Sequence, residues 1–301
     1  MSEDYLSRLV LGTAQLGMRY GIANTRGKPR LDEAMRIVEA AFASGIRWFD
    51  TAQGYGDSEA ILGHCFRQLG LEQKVHVVTK LHPSIGEADA DQVWKSACES
   101  LNRLNLQRLD GFLLHREALL NGLDGAIGKQ FLTLKRQGLV SRLGVSCYST
   151  EGAIRAMDYE IVEMLQVPGN VFDRSALRAG VVDKAHEKGC ILFVRSVYLQ
   201  GLALMSPDEI PPAIPLAQDA VRKLSDFCGR HDIDRKSFCI QYALQRFASA
   251  KLVVGAEHSA QVIETAALAS GKPLSKRLLE AWDQEWPEDI PGLINPALWP
   301  Q

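Results

Sequence analysis

LDEAMRIVEAAFASG at residues 31–45, running into IRWFD at residues 46–50, is the stretch that decides the fold. Apolar positions in its first part recur every three to four residues, as on the buried face of a helix, with acids at the start and Gly45 where the helix should stop. A short apolar run rich in strand formers follows at once and ends on an acid, Asp50. Helix, tight turn and buried strand in that order are one unit of a parallel α/β fold.

The same unit repeats outward in both directions. Candidate strands lie at residues 8–11, 46–50, 75–80, 111–115, 142–146, 161–167, 191–195 and 252–255, with helical patterns between them such as DADQVWKSACESLNRLN from Asp89. Gly138 and Gly189, like Gly45, stand at expected helix ends. Eight strand-helix units without a break in composition predict one (β/α)8 TIM barrel occupying residues 1–301 as a single domain. Residues 202–215 form a long, Pro-rich loop after strand 7, and the extended C-terminal tail beyond Glu285, with the string PEDIPGLINPALWPQ, is expected to drape over one face of the barrel.

Bulk properties narrow the class. The chain has 301 residues, 46% of them apolar and 23% charged, enough to bury a large core. A net charge of -2 without a basic run argues against nucleic acid. An acidic start and the lack of an apolar stretch near the ~20 residues of a membrane helix argue against secretion and membrane insertion, so a cytoplasmic protein is expected. The six scattered cysteines have no metal-ligand spacing and read as reduced, mostly buried thiols. The oligomeric state is not legible.

In a barrel, side chains at the carboxyl ends of strands line the catalytic mouth. Asp50, Lys80 and His115 each close a predicted strand directly after an apolar run, which packing alone does not explain. The loop after strand 2, within FDTAQGYGDSEAILG, adds Tyr55 just before a helix. These residues, with LGTAQLG near the start, VVTK at Lys80, FLLH at His115 and RLGVS after the fourth helix, resemble the aldo-keto reductase family in the expected order over nearly the whole chain.

The resemblance implies NAD(P)H-dependent reduction of an aldehyde or ketone, a small-molecule carbonyl with sugar-derived ones among the candidates, and Asp50, Tyr55, Lys80 and His115 as a catalytic tetrad. Hydride delivered to a carbonyl carbon leaves an oxygen that must gain a proton, and Tyr55 is the natural donor. A free phenol has a pKa of about 10, so a nearby cation is needed to stabilise the phenolate, and Lys80 is expected to supply it. Asp50 would keep that ammonium paired, and His115 would hydrogen-bond the carbonyl oxygen. No metal is called for.

For the cofactor, the resemblance implies that Gly12, Thr13 and Asp50 face the nicotinamide and that Ser146 and Gln166 hold its carboxamide, with Cys147 where the family has Asn. Arg195 stands where a ring-stacking Tyr is usual. Ser196, Leu199 and Gly201 would lie along the pyrophosphate, Ser196 by its hydroxyl and the others by backbone N–H groups. Gly255, Ser259, Gln261 and Glu264, in VVGAEHSAQVIETAA, match the adenosine end, but Gln261 replaces the usual Arg and Thr265 the usual Asn. NADPH is the cofactor implied, with NADH or dual use open.

Tyr20, Arg19, Arg116 and Trp299 are substrate-pocket candidates; Arg19, Arg116 and Arg195 together would suit an acidic substrate. Two other readings stay open: an epimerase or isomerase that retains its nicotinamide, and a nicotinamide-binding regulatory subunit.

Overall fold

The computed structural model describes residues 5–214 and 216–299. Residues 1–4 of the acidic N-terminus, Pro215 at the end of the long loop, and Pro300 and Gln301 of the tail lie outside the described residues. Eight strands, β1 (Leu9–Gly12), β2 (Trp48–Asp50), β3 (His76–Lys80), β4 (Leu109–Leu114), β5 (Val140–Ser146), β6 (Met164–Pro168), β7 (Ile191–Arg195) and β8 (Lys251–Gly255), close into one parallel barrel in chain order. β1 pairs with β2 on one edge and β8 on the other, the mark of an (α/β)8 TIM barrel.

The helix expected from Leu31 runs Leu31–Ala43, and Gly45 ends the connection with φ of 92°. Most strand boundaries move by one to three residues. Arg8 leaves β1 for a short 3-10 turn, because its guanidinium donates to the carbonyls of Leu244, Phe247 and Ala250 instead. β6 begins at Met164 rather than residue 161, since Val162 is held in a turn by the carbonyl of Tyr159. His115 falls just beyond β4, whose last partner pair is Leu114 with Val145.

Three apolar layers hold the barrel. Val10, Val78, Leu113, Met164, Phe193 and Val253 fill its interior, and Gly111 leaves room for Met164, whose Sδ would stand 2.5 Å from a Cβ there. A larger layer lies between the strands and the surrounding helices. The third gathers the long loop, the helices Ala217–Arg230 and Arg235–Arg246, and the tail, around Phe172, Phe227, Trp282 and Trp286. Ile210 and Ile214 of the long loop are buried in this layer, so that loop is a packed element. The tail indeed covers the barrel there, anchored by Asp289, which bonds the Arg174 N–H at 2.8 Å and pairs with Arg178 at 2.7 Å. Among the described residues no helix is long and apolar enough to cross a membrane, and the six cysteines form no disulfide.

Candidate active site

Asp50 and Lys80 end neighbouring strands and meet inside the barrel mouth. Lys80, fully buried, donates to both Asp50 carboxylate oxygens and to the Thr51 carbonyl, each at 2.8 Å. All three ammonium donors are thereby committed. Gln166 on β6 donates to Asp50 Oδ1 at 2.7 Å, and its own Oε1 faces the Ser146 hydroxyl at 3.4 Å. Strands β2, β3, β5 and β6 thus contribute to one polar cluster. Thr13 and Ser58 fix the loops above it: Thr13 Oγ1 donates to the Asp50 carbonyl at 2.9 Å and Ser58 Oγ to the Thr13 carbonyl at 2.8 Å.

Tyr55 sits over this pair, with Lys80 Nζ 5.0 Å from its ring centroid and the His115 ring edge-on at 5.7 Å. Its loop reaches that position through two glycines. A Cβ on Gly17 would lie 1.8 Å from the Tyr55 carbonyl oxygen, and one on Gly56, at φ of 56°, 2.4 Å from the Gly17 carbonyl oxygen. The four residues of the expected tetrad are therefore brought together.

The electrostatics of the four differ. Burial pushes the Tyr55 phenol up, the Asp50 charge pushes it further, and the cation opposing them is Arg195. Asp50 matches the positive charge of Lys80; burial lowers the lysine's own pKa while Asp50 raises it. His115 is lowered to about 3, chiefly by burial and then by Lys80 and Arg195, and its Nδ1 is buried without a hydrogen-bond partner. It is a neutral imidazole at physiological pH.

From Tyr55 a cavity of about 620 Å³ extends across the ends of β1, β7 and β8. Gly12, Thr13, Tyr20, Asp50, Arg195, Ser196, Gly201, Gly255 and Gln261 all line it, as the sequence suggested. The loops after β1 and β7 meet beside it, where the Ala23 N–H reaches the Gln200 carbonyl at 3.4 Å. Arg195 lies flat on the exposed Tyr148 ring at 4.1 Å, an aromatic partner the sequence reading missed.

Other expected residues are placed differently. Leu199 is fully buried in the third apolar layer, and the N–H groups of Leu199 and Gly201 already bond the carbonyls of Ser196 and Tyr198. The Ser259 N–H donates to Glu33, and Glu264 pairs with Lys236. Trp299 is buried in the third layer, its indole N–H on the Leu293 carbonyl, because the tail turns inward. Arg19 is exposed, and Arg116 reaches back to the Ile85 carbonyl; neither lines the cavity, so the arginine triplet does not converge. The reading also missed Gln15, Glu209, Lys236 and Glu257 among the lining residues. Glu257 was visible inside the VVGAEHSAQ string, whereas nothing local marked Lys236.

Residues 8–286 match the Aldo/keto reductase family. The chain belongs to that family. Aldo-keto reductase str7 of Strobilurus tenacellus is 28% identical over 211 residues, 67% of this chain and 61% of its own length. D-threo-aldose 1-dehydrogenase of a Pseudomonas species is 27% identical over 312 aligned positions, 90% of this chain and 94% of the relative. The aldo-keto reductase of Bacillus halodurans, solved in its holo form, shares the fold at a TM-score of 0.75 and 20% identity, with 92% of this chain and 91% of that one covered. An oxidoreductase of the aldo/keto reductase family, acting on a small molecule, is the functional class these likenesses give.

The cavity suits the nicotinamide cofactor general to that family. It begins at an acid-base cluster and carries polar residues along its wall. Ser146 and Gln166 are not among its lining residues; they form a hydroxyl and an amide behind Asp50, which does line it.

Proposed function

We propose that this aldo/keto reductase reduces an aldehyde or ketone, sugar-derived, using NADPH or NADH, with Tyr55 as the proton donor. The observation that carries the reading is Tyr55 set above a buried Asp50–Lys80 pair at the head of a cavity of about 620 Å³. The aldose in the name of the Pseudomonas relative supports a sugar carbonyl as substrate.

When bound, the nicotinamide supplies hydride to the carbonyl carbon. The protein handles the proton. Burial keeps Tyr55 protonated at neutral pH, so its hydroxyl has a proton to give to the carbonyl oxygen. Arg195 then favours the phenolate that remains, while Lys80, held on three acceptors, fixes the floor beneath the ring. Neutral His115 offers a hydrogen bond to the same oxygen without competing for the proton. Gln166 and Asp50 hold one another in place at the nicotinamide end.

Tyr55→Phe tests the assignment. Turnover should fall by roughly 10²- to 10⁴-fold, the usual worth of a positioned acid, while dinucleotide affinity stays within about twofold. A variant that reduces carbonyls at near the parent rate removes Tyr55 from the chemistry. If the chain were instead a regulatory binder, no carbonyl would be turned over by either protein.

A further inference from the structure

We infer that the adenosine end of the cavity selects the unphosphorylated dinucleotide, NADH or NAD+, with the Glu257 carboxylate accepting hydrogen bonds from the ribose hydroxyls. This rests on the nicotinamide-dependent reading above and decides between its two cofactors.

The two dinucleotides differ only in a 2'-phosphate, which brings nearly two negative charges and wants cations or free N–H donors. At this end of the cavity most of those are already taken. The helix Ser259–Ala269 begins here, and a free helix N-terminus would welcome phosphate. Its Ser259 N–H, however, donates to Glu33 Oε1 at 2.8 Å, and Arg36 holds that carboxylate at 2.8 Å. Glu33 thus takes the Ser259 N–H that a phosphate would otherwise be offered.

Gln261, in the position where a phosphate-binding Arg is usual, turns its side-chain oxygen inward to accept the Glu257 N–H at 2.8 Å. Lys236 lines the cavity at this end but is ion-paired with Glu264. To grip a phosphate it would have to leave that partner. Arg195, the cavity's other lining cation, belongs to the Tyr55 end. Exposed Arg26, on the loop after β1, is near enough to act on Glu257 electrostatically but forms no ion pair with it among the described residues.

Glu257 itself faces the cavity, partly buried, and its carboxylate makes no hydrogen bond or ion pair among the described residues. Burial raises its pKa, the behaviour of a carboxylate short of donors. Exposed Glu209 adds a second acid to the lining. A 2'-phosphate entering here meets like charge at Glu257 and Glu209, with Lys236 already paired and the neutral Gln261 amide N–H and the exposed Arg26 left to offer. A ribose diol brings two O–H donors to an acceptor that lacks them, the pairing by which carboxylates read unphosphorylated dinucleotides in other folds.

The test is direct titration of the full-length protein with NADH and NADPH separately, by calorimetry and by the emission of the reduced nicotinamide. NADH should bind more tightly by roughly tenfold or more, the scale of one charge-assisted hydrogen bond. Glu257→Ala should erase most of that ratio through weaker NADH binding. Glu257→Arg should strengthen NADPH binding, with thermal unfolding confirming that each variant is folded. Equal or tighter NADPH binding by the parent protein overturns the inference, as does an unchanged ratio in Glu257→Ala, and either result leaves the oxidoreductase reading standing. A folded parent protein that binds neither dinucleotide overturns both.

Discussion

Acidifying the solution reaches His115 selectively. In an unfolded chain this imidazole takes up a proton near its ordinary pKa of about 6.5, but in the native barrel burial and the neighbouring cations hold it to about 3. Its folded pKa is depressed, so its contribution to stability is full above pH 6.5 and is lost as the pH falls toward 3. At pH 5 the gap to the unfolded pKa is about 1.5 units, worth about 2 kcal/mol at 1.4 kcal/mol per unit. The ring is partly exposed, and solvent screening makes that figure an upper bound. Against a total stability of roughly 5–15 kcal/mol, it is large enough to measure. Replacing the ring by a side chain that cannot titrate, His115→Gln, should flatten the loss of stability between pH 7 and pH 5 by about 1–2 kcal/mol relative to the parent, whatever it does to absolute stability. Denaturant unfolding at several pH values reads this slope directly. Equal slopes for parent and variant, or an imidazole NMR titration centred near 6.5, would refute the burial argument and with it the neutral hydrogen-bond donor invoked for catalysis.

Further outcomes follow from the same geometry. Lys80→Met strands the Asp50 charge in a buried site and should cost about 3–5 kcal/mol by chemical denaturation, with the double variant Asp50→Asn, Lys80→Met recovering much of the loss; full additivity of the two single changes would deny the pairing. Gly17→Ala puts a methyl group into the Tyr55 carbonyl and must push the Tyr55 loop outward. Turnover should drop about tenfold or more, since small misplacements of a reacting group are costly, with dinucleotide affinity nearly kept. Parent-like turnover from Gly17→Ala would show that the loop position is not critical.

What could be read from the sequence alone was what is local or periodic. The Leu31–Ala43 helix and β7 emerge as expected, because their burial patterns follow directly from residue spacing. Tyr55, Asp50, Lys80 and His115 converge because the barrel places the ends of consecutive strands side by side. Contacts between helices packed side by side were invisible. Glu33 meets Ser259, and Lys236 meets Glu264, between segments whose spacing carries no signal. The same limit misplaced Trp299, since nothing in a Pro-rich tail says which way its aromatic ring turns. Arg195 was noticed for the aromatic it replaces, but its stacking on Tyr148 and its pull on Tyr55 needed the structure.

The bonds from Arg8 to the carbonyls of Leu244, Phe247 and Ala250 bear on how the protein is made. β1 is synthesised first, yet one of its two edges finds its partner only when β8 is translated, some 240 residues later. Until then the nascent chain carries two bare strand edges, those of β1 and of whichever strand was made last, each a template for pairing with another chain. A chain that stops short of Ala250 keeps both edges and lacks the carbonyl that receives Arg8 Nε, one residue before β8. Translation of the segment that carries β8 therefore decides whether the earlier strands close into a barrel or keep their bare edges.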